Sequence, residues 1–117
     1  MSNELLSPDQ LAEIRALGKV RPGLPKMLLT LFETSAMEAL EGCVGAWMCS
    51  DARQLESFAH RLKGTAASLG AQDVRAKAER LEMDAGRDVS IPRERLDSLA
   101  LAIDATCQAY ADWLQRV

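Results

Sequence analysis

Phe58-Ala59-His60-Arg61-Leu62-Lys63-Gly64-Thr65-Ala66-Ala67-Ser68-Leu69-Gly70 holds the only histidine in 117 residues, and its apolar spacing decides the fold. With Leu55 one turn earlier, the residues Phe58, Ala59, Leu62, Ala66 and Leu69 recur at i+3, i+4, i+7, i+11 and i+14, the period of an amphipathic helix. At about 100° per residue the histidine falls roughly 150° from the centre of that stripe. It shares its side with Arg53, Ser57, Gly64 and Ala67. The phase therefore predicts an exposed imidazole, which in a small helical protein is ordinarily a solvated side chain and nothing more.

The neighbours single it out. Lys63 and Gly64 stand one turn further on, beside the ring. A glycine inside a helix costs about 1 kcal/mol relative to alanine, so it requires either a helix end or a use for the missing side chain. An end at Gly64 would leave the in-phase Ala66 and Leu69 without purpose, so the helix is expected to continue to Gly70, a C′ residue. On that reading Gly64 clears space for a partner to reach the ring, and Lys63 offers a cation to an incoming phosphoryl group.

Working outward, Asp51-Ala52-Arg53-Gln54 reads as the cap of this helix, with aspartate at N-cap and glutamine three later. Before it, a long pattern from about Pro25 places Leu28, Leu31, Phe32, Ser35, Ala39, Cys43, Ala46 and Trp47 on one face. Gly42 and Gly45 weaken that helix, either allowing close packing or simply facing solvent. Earlier still, Ser7-Pro8-Asp9-Gln10 starts a short helix with Ser7 as N-cap and Gln10 at the capping-box position. Leu6 and Leu11 staple its start, and Gly18 is expected to end it. Pro22-Gly23-Leu24-Pro25 is a turn.

After Gly70 a further segment places Val74, Ala78, Leu81 and Ala85 on one face. Gly86-Arg87-Asp88-Val89-Ser90 is a linker, and Ser90 is expected to cap a last helix with Ile91 and Pro92 in its first turn. Its stripe runs through Leu96, Leu99, Ile103, Cys107, Tyr110, Leu114 and Val117, flanked by Trp113. Four long amphipathic segments with short connections predict an all-α, antiparallel up-down-up-down four-helix bundle, the short first helix packed across one end. The leucine and methionine stripes are assigned to the core. Residues 1–117 form one domain by length, with no repeat or low-complexity tract.

Composition narrows the function classes. Hydrophobic residues make up 48% and charged residues 26%, too apolar for disorder, while 4% aromatics favour helix over strand. The net charge of −3, with basic residues dispersed among acidic ones, argues against nucleic acid. No apolar run approaches the roughly 18 residues that span a bilayer. Met1-Ser2-Asn3-Glu4 does not start a signal peptide, so a cytoplasmic chain is expected. Met1 and the well-capped start favour a free-standing protein over a domain of a hybrid kinase, and a monomer is expected. Cys43, Cys49 and Cys107 lack metal-ligand spacing and read as small buried hydrophobes.

Ala59-His60-Arg61-Leu62-Lys63-Gly64-Thr65-Ala66, then Leu69-Gly70-Ala71, then Leu81-Glu82 on the next helix, resembles the histidine-containing phosphotransfer (HPt) domain of two-component phosphorelays. The likeness covers nearly the whole chain. It implies that His60 accepts a phosphoryl group from a receiver-domain aspartate and passes it to another receiver, with hybrid sensor histidine kinases and response regulators as partners. Lys63 takes the family's charge-stabilising role and Gly64 its small-residue role. Glu82 falls where the family often has a polar residue able to bond the ring. It either accepts from Nδ1–H, leaving Nε2 as nucleophile, or makes a surface salt bridge to Arg80 or Arg75. An unperturbed imidazole, with a pKa of about 6.5, needs no base to act near neutral pH.

The resemblance also implies that no cofactor or metal is resident, magnesium belonging to the receiver's acidic pocket, and that the protein is a carrier and not an enzyme. By phase, Arg53, Glu56, Ser57, Arg61 and Ala67 join Lys63 and Gly64 on the docking surface. Two other readings compete. A histidine-kinase dimerisation helix pair typically has an acidic residue after the histidine and a proline later. Here Arg61 follows, no proline lies between His60 and Pro92, and no glycine-rich nucleotide loop is present. A helical adaptor docking receiver-like partners without phosphorylation would have no use for His60, Lys63 and Gly64 together.

Overall fold

The structure is a computed structural model that describes residues 5–87 and 90–117. Residues 1–4, and Asp88 and Val89 within the expected linker, lie outside the described residues. Five helices are present and no strand among the described residues: α1 (Pro8–Val20), α2 (Leu24–Met48), α3 (Ala52–Leu69), α4 (Gln72–Gly86) and α5 (Arg93–Arg116). Helix α2 packs on α3, α3 on α4, α4 on α5, and α5 returns to α2, so four helices close a ring around one core, with α1 against α2.

The α3 stripe faces that core between α2 and α4. Leu55, Ala59, Leu62, Ala66 and Leu69 are all buried, and each fully buried leucine contributes about 1.5–3 kcal/mol of transfer free energy. The facing stripe of α4 consists of Val74, Ala78, Leu81 and Ala85. Alanines on both helices let the backbones approach closely, which is what brings an α4 carboxylate within reach of α3. Gly42 of α2 does the same against α3: a Cβ there would run into the Phe58 ring. Gly45 faces open space.

Helix α3 begins and ends as its sequence specifies. Asp51 accepts from Gln54 N–H at 3.1 Å, and Gly70 adopts φ +78°. The Gly70 and Ala71 N–H groups then close back on Ala67 and Ala66 carbonyls in the two bonds of a Schellman ending. The same glycine anchors α1. Ser7 N–H donates to Gly70 O at 2.8 Å, and the Gln10 side chain donates to Ser68 O at 3.3 Å. Ser7 Oγ does cap Gln10 N–H, but the glutamine leaves the reciprocal half of the capping box to tie α1 onto the end of α3.

Several expectations are corrected. Gly18 does not end α1, which runs to Val20; its missing side chain admits Pro25, whose Cγ would lie 2.9 Å from an added Cβ. Helix α5 starts at Arg93, with the extended Pro92 at N-cap instead of Ser90. A residue before proline is disfavoured in helix, and Ile91 O is held outside it by Trp47 Nε1–H at 2.7 Å. On α2 the buried set includes Ala36 and Leu40, while Leu31 is exposed. Met27, Met37, Met48 and Met83 are exposed, so no methionine among the described residues belongs to the core. Among the cysteines, Cys43 is buried, and burial pushes its thiol up to about 11; Cys107 is half-buried. Cys49 is exposed, because it caps α2 beyond the last in-phase position. Val117, at the end of the α5 stripe, is exposed as well.

Candidate functional site

The imidazole of His60 stands out from the middle of α3 with 69% of its side chain exposed. Its Nδ1 lies 2.8 Å from Oε2 of Glu82, which follows the buried Leu81 on α4 and is itself only 20% exposed. An ionised carboxylate can only accept, so Nδ1–H donates and the lone pair sits on Nε2, pointing away from the protein's own partner. Glu82 bridges two groups. Its Oε1 lies 2.8 Å from the Lys63 ammonium, one turn along α3 from the histidine. That oxygen is shielded from solvent, and the ammonium meets it off the ideal hydrogen-bonding direction. Lys63 first, and then the His60 ring, hold the Glu82 carboxyl below its ordinary range, against the opposing effect of partial burial.

Two sequence-selected residues, His60 and Lys63, are thus joined by a third, Glu82. The surface alternative for Glu82 is not what the structure shows: neither Arg80 nor Arg75 pairs with it among the described residues, and Arg75 lies 3.8 Å from Glu79 on its own helix. Lys63 is not a free cation either, being committed to Glu82. The spacing on α3 sets His60 and Lys63 one turn apart, but the carboxylate that joins them comes from α4 and is not contained in that spacing. Gly64 continues the exposed face of α3, and a Cβ placed on it would meet nothing within 4 Å. No packing among the described residues accounts for that glycine.

Arg53, Glu56, Ser57, Arg61 and Ala67 are all exposed on α3. Arg61 leans toward α2, 3.9 Å from Glu38, with its guanidinium 6.0 Å above the Phe58 ring. Glu56 leans the other way, its carboxylate against Gly86 at the end of α4. No hydrogen bond or ion pair joins Arg53, Ser57 or Ala67 to the imidazole among the described residues. Sequence phase did not single out Glu38, which extends this face onto α2. Among the described residues no three His, Cys, Asp or Glu side chains cluster in a way that could hold a metal ion, and no helix is long and apolar enough to cross a membrane.

The geometry offers a solvent-facing nitrogen with a fixed tautomer, a cation one turn away held by the same carboxylate, and open space at Gly64. Comparisons with known proteins bear on the fold and the family. No curated protein matches the chain. Among solved structures, histidine-containing phosphotransfer protein B from Pseudomonas aeruginosa PAO1 superposes with a TM-score of 0.83 at 24% identity over 99% of both chains, which is a likeness of fold. The family model described as the Hpt domain matches residues 27–113, from the start of α2 to near the end of α5 and across the whole histidine site. The chain therefore belongs to the Hpt domain family, whose role is histidine phosphotransfer in a phosphorelay.

Proposed function

We propose that His60 is the phosphoryl acceptor of this chain and that it exchanges the group with receiver-domain aspartates. The Nε2 lone pair attacks phosphorus as the bond to the aspartyl oxygen breaks, and the aspartate leaves as a carboxylate. Nδ1 keeps its proton toward Glu82, which stabilises the charge that develops on the ring. Onward transfer is the reverse step to a second receiver. The reading is carried by one observation: an exposed imidazole whose Nδ1 is bound to Glu82 at 2.8 Å, so that only Nε2 is presented.

Phosphoryl transfer needs in-line alignment and neutralisation of the equatorial oxygens. Lys63 supplies part of that charge by moving from Glu82 to the incoming group. The divalent metal and the remaining charge belong to the receiver's acidic pocket. Gly64 leaves room for that pocket, and Arg53, Glu56, Ser57, Arg61 and Ala67 frame it. The protein is then a carrier with no turnover of its own, acting in the cytoplasm as a monomer, between a hybrid sensor kinase and a response regulator. The ring of contacts and the short connections support an antiparallel up-down-up-down bundle with α1 across one end, in a single domain.

The test is incubation with a receiver phosphorylated at its aspartate, or with an active hybrid kinase. Acid-labile, base-stable phosphate is expected on the wild type and none on His60→Gln. Equal labelling of both proteins, or of neither across a range of receivers, overturns the reading.

A further inference from the structure

Charge is unevenly distributed at the end of the molecule built from α1, the turn after it and the tail of α5. From Ile14 to Phe32 the chain has Arg15, Lys19, Arg21 and Lys26 and no acidic residue, leaving the remaining residues at −7 against a chain total of −3. Among the described residues every lysine or arginine that makes an ion pair lies between Arg61 and Arg95, and the side chains of Arg15, Lys19 and Lys26 make none. These three cations line recesses. One cavity of about 360 Å³ is walled by Arg15, Lys19, Lys26 and Trp113, and a second of about 600 Å³ along α1 shares Arg15, Lys19 and Trp113. The half-buried Trp113 leans on Tyr110 with ring centroids 5.2 Å apart, and its indole N–H has no acceptor among the described residues. No aspartate or glutamate side chain lines either cavity.

We propose that this trough binds an extended acidic segment of a partner protein, carboxylates against Arg15, Lys19 and Lys26 and an aromatic residue on Trp113. The inference is independent of the His60 reading. Unpaired cations flanking an apolar floor complement alternating acidic and aromatic residues. The stretch of α1 from Pro8 to Lys19 is about 18 Å long at 1.5 Å per residue, which about five or six extended residues at roughly 3.3 Å each would cover. Cations set in the walls of a recess suit a chain better than a flat anionic lipid surface.

The experiment titrates the full chain, followed by ¹H–¹⁵N NMR, with an acetylated and amidated six-residue peptide alternating glutamate and phenylalanine. Hexaglutamate and phosphatidylglycerol vesicles serve as comparisons. Shifts are expected at the Trp113 indole and along α1, with binding below millimolar. Affinity should fall at least tenfold for hexaglutamate and for Arg15→Glu/Lys19→Glu, while phosphorylation of His60 by a receiver is unchanged in that variant. Lys26→Glu provides the same comparison if the double reversal does not fold. No shift at 1 mM peptide, shifts centred on α3, equal affinity for the reversed variant, tighter binding to vesicles, or self-association through this face would each overturn the proposal.

Discussion

Replacing Gly64 with alanine should make the protein more stable. Mid-helix glycine is disfavoured relative to alanine by about 0.5–1 kcal/mol, and the structure offers nothing to offset that. A Cβ at this position meets no atom within 4 Å, and the backbone there is ordinary helix. At about 2.1 cal/mol/K of unfolding entropy per residue, the 117-residue chain gains roughly 2–4 °C in Tm. Gly70 provides the contrast. Its φ is +78° and a Cβ would lie 2.5 Å from Gln10 Cβ, so Gly70→Ala should lower Tm and loosen α1. Circular dichroism melts report both. The second half of the experiment is the rate of phosphoryl transfer from a phosphorylated receiver. Gly64→Gln should fold at least as well as the wild type yet transfer at least tenfold more slowly, because its side chain occupies the approach to the ring. A fall in Tm for Gly64→Ala, or wild-type transfer by Gly64→Gln, would refute the claim that this glycine serves a partner and not the fold.

Two further perturbations probe the carboxylate between His60 and Lys63. Lys63→Ala should slow transfer strongly while lowering stability by only about 1 kcal/mol, the scale of a partly exposed ion pair, as read from transfer kinetics beside urea melts. Glu82→Gln should cost a similar amount at pH 7. Because the Glu82 carboxyl is depressed in the folded protein, its contribution is present above the unfolded value of about 4.3. The contribution is lost as the pH falls through the lower folded value. The stability difference between wild type and variant should therefore shrink on acidification below about pH 4.3. A difference that grows there would contradict the assigned charge state.

The helices were legible wherever apolar phase and a cap agreed. Leu55 to Leu69 between Asp51 and Gly70 is the clearest case, since N-cap, stripe and left-handed glycine all mark the same element. Boundaries failed where a residue serves a tertiary contact that local pattern does not contain. Gly18 resembles a helix stop but makes room for Pro25, and Ser90 resembles a cap although Trp47 holds Ile91 outside the helix. At the site, His60 and Gly64 could be read from exposure and propensity on one helix. The partner of Lys63 could not, because Glu82 lies on another helix and its reach depends on how closely the alanine-lined faces of α3 and α4 approach. The exposed methionines show the same limit from the other side: hydropathy alone does not distinguish the outer edge of α2 from its core.

The most direct measurement is the position of the phosphoryl group on the ring. In phosphorus–proton correlation spectra of the phosphorylated protein, phosphorus on Nε2 couples over three bonds to both ring carbon protons, whereas phosphorus on Nδ1 reaches only one that way. With Nδ1 bound to Glu82 at 2.8 Å, a single phosphohistidine at His60 showing both couplings is predicted. Phosphate on Nδ1, or on any residue other than His60, would contradict the account.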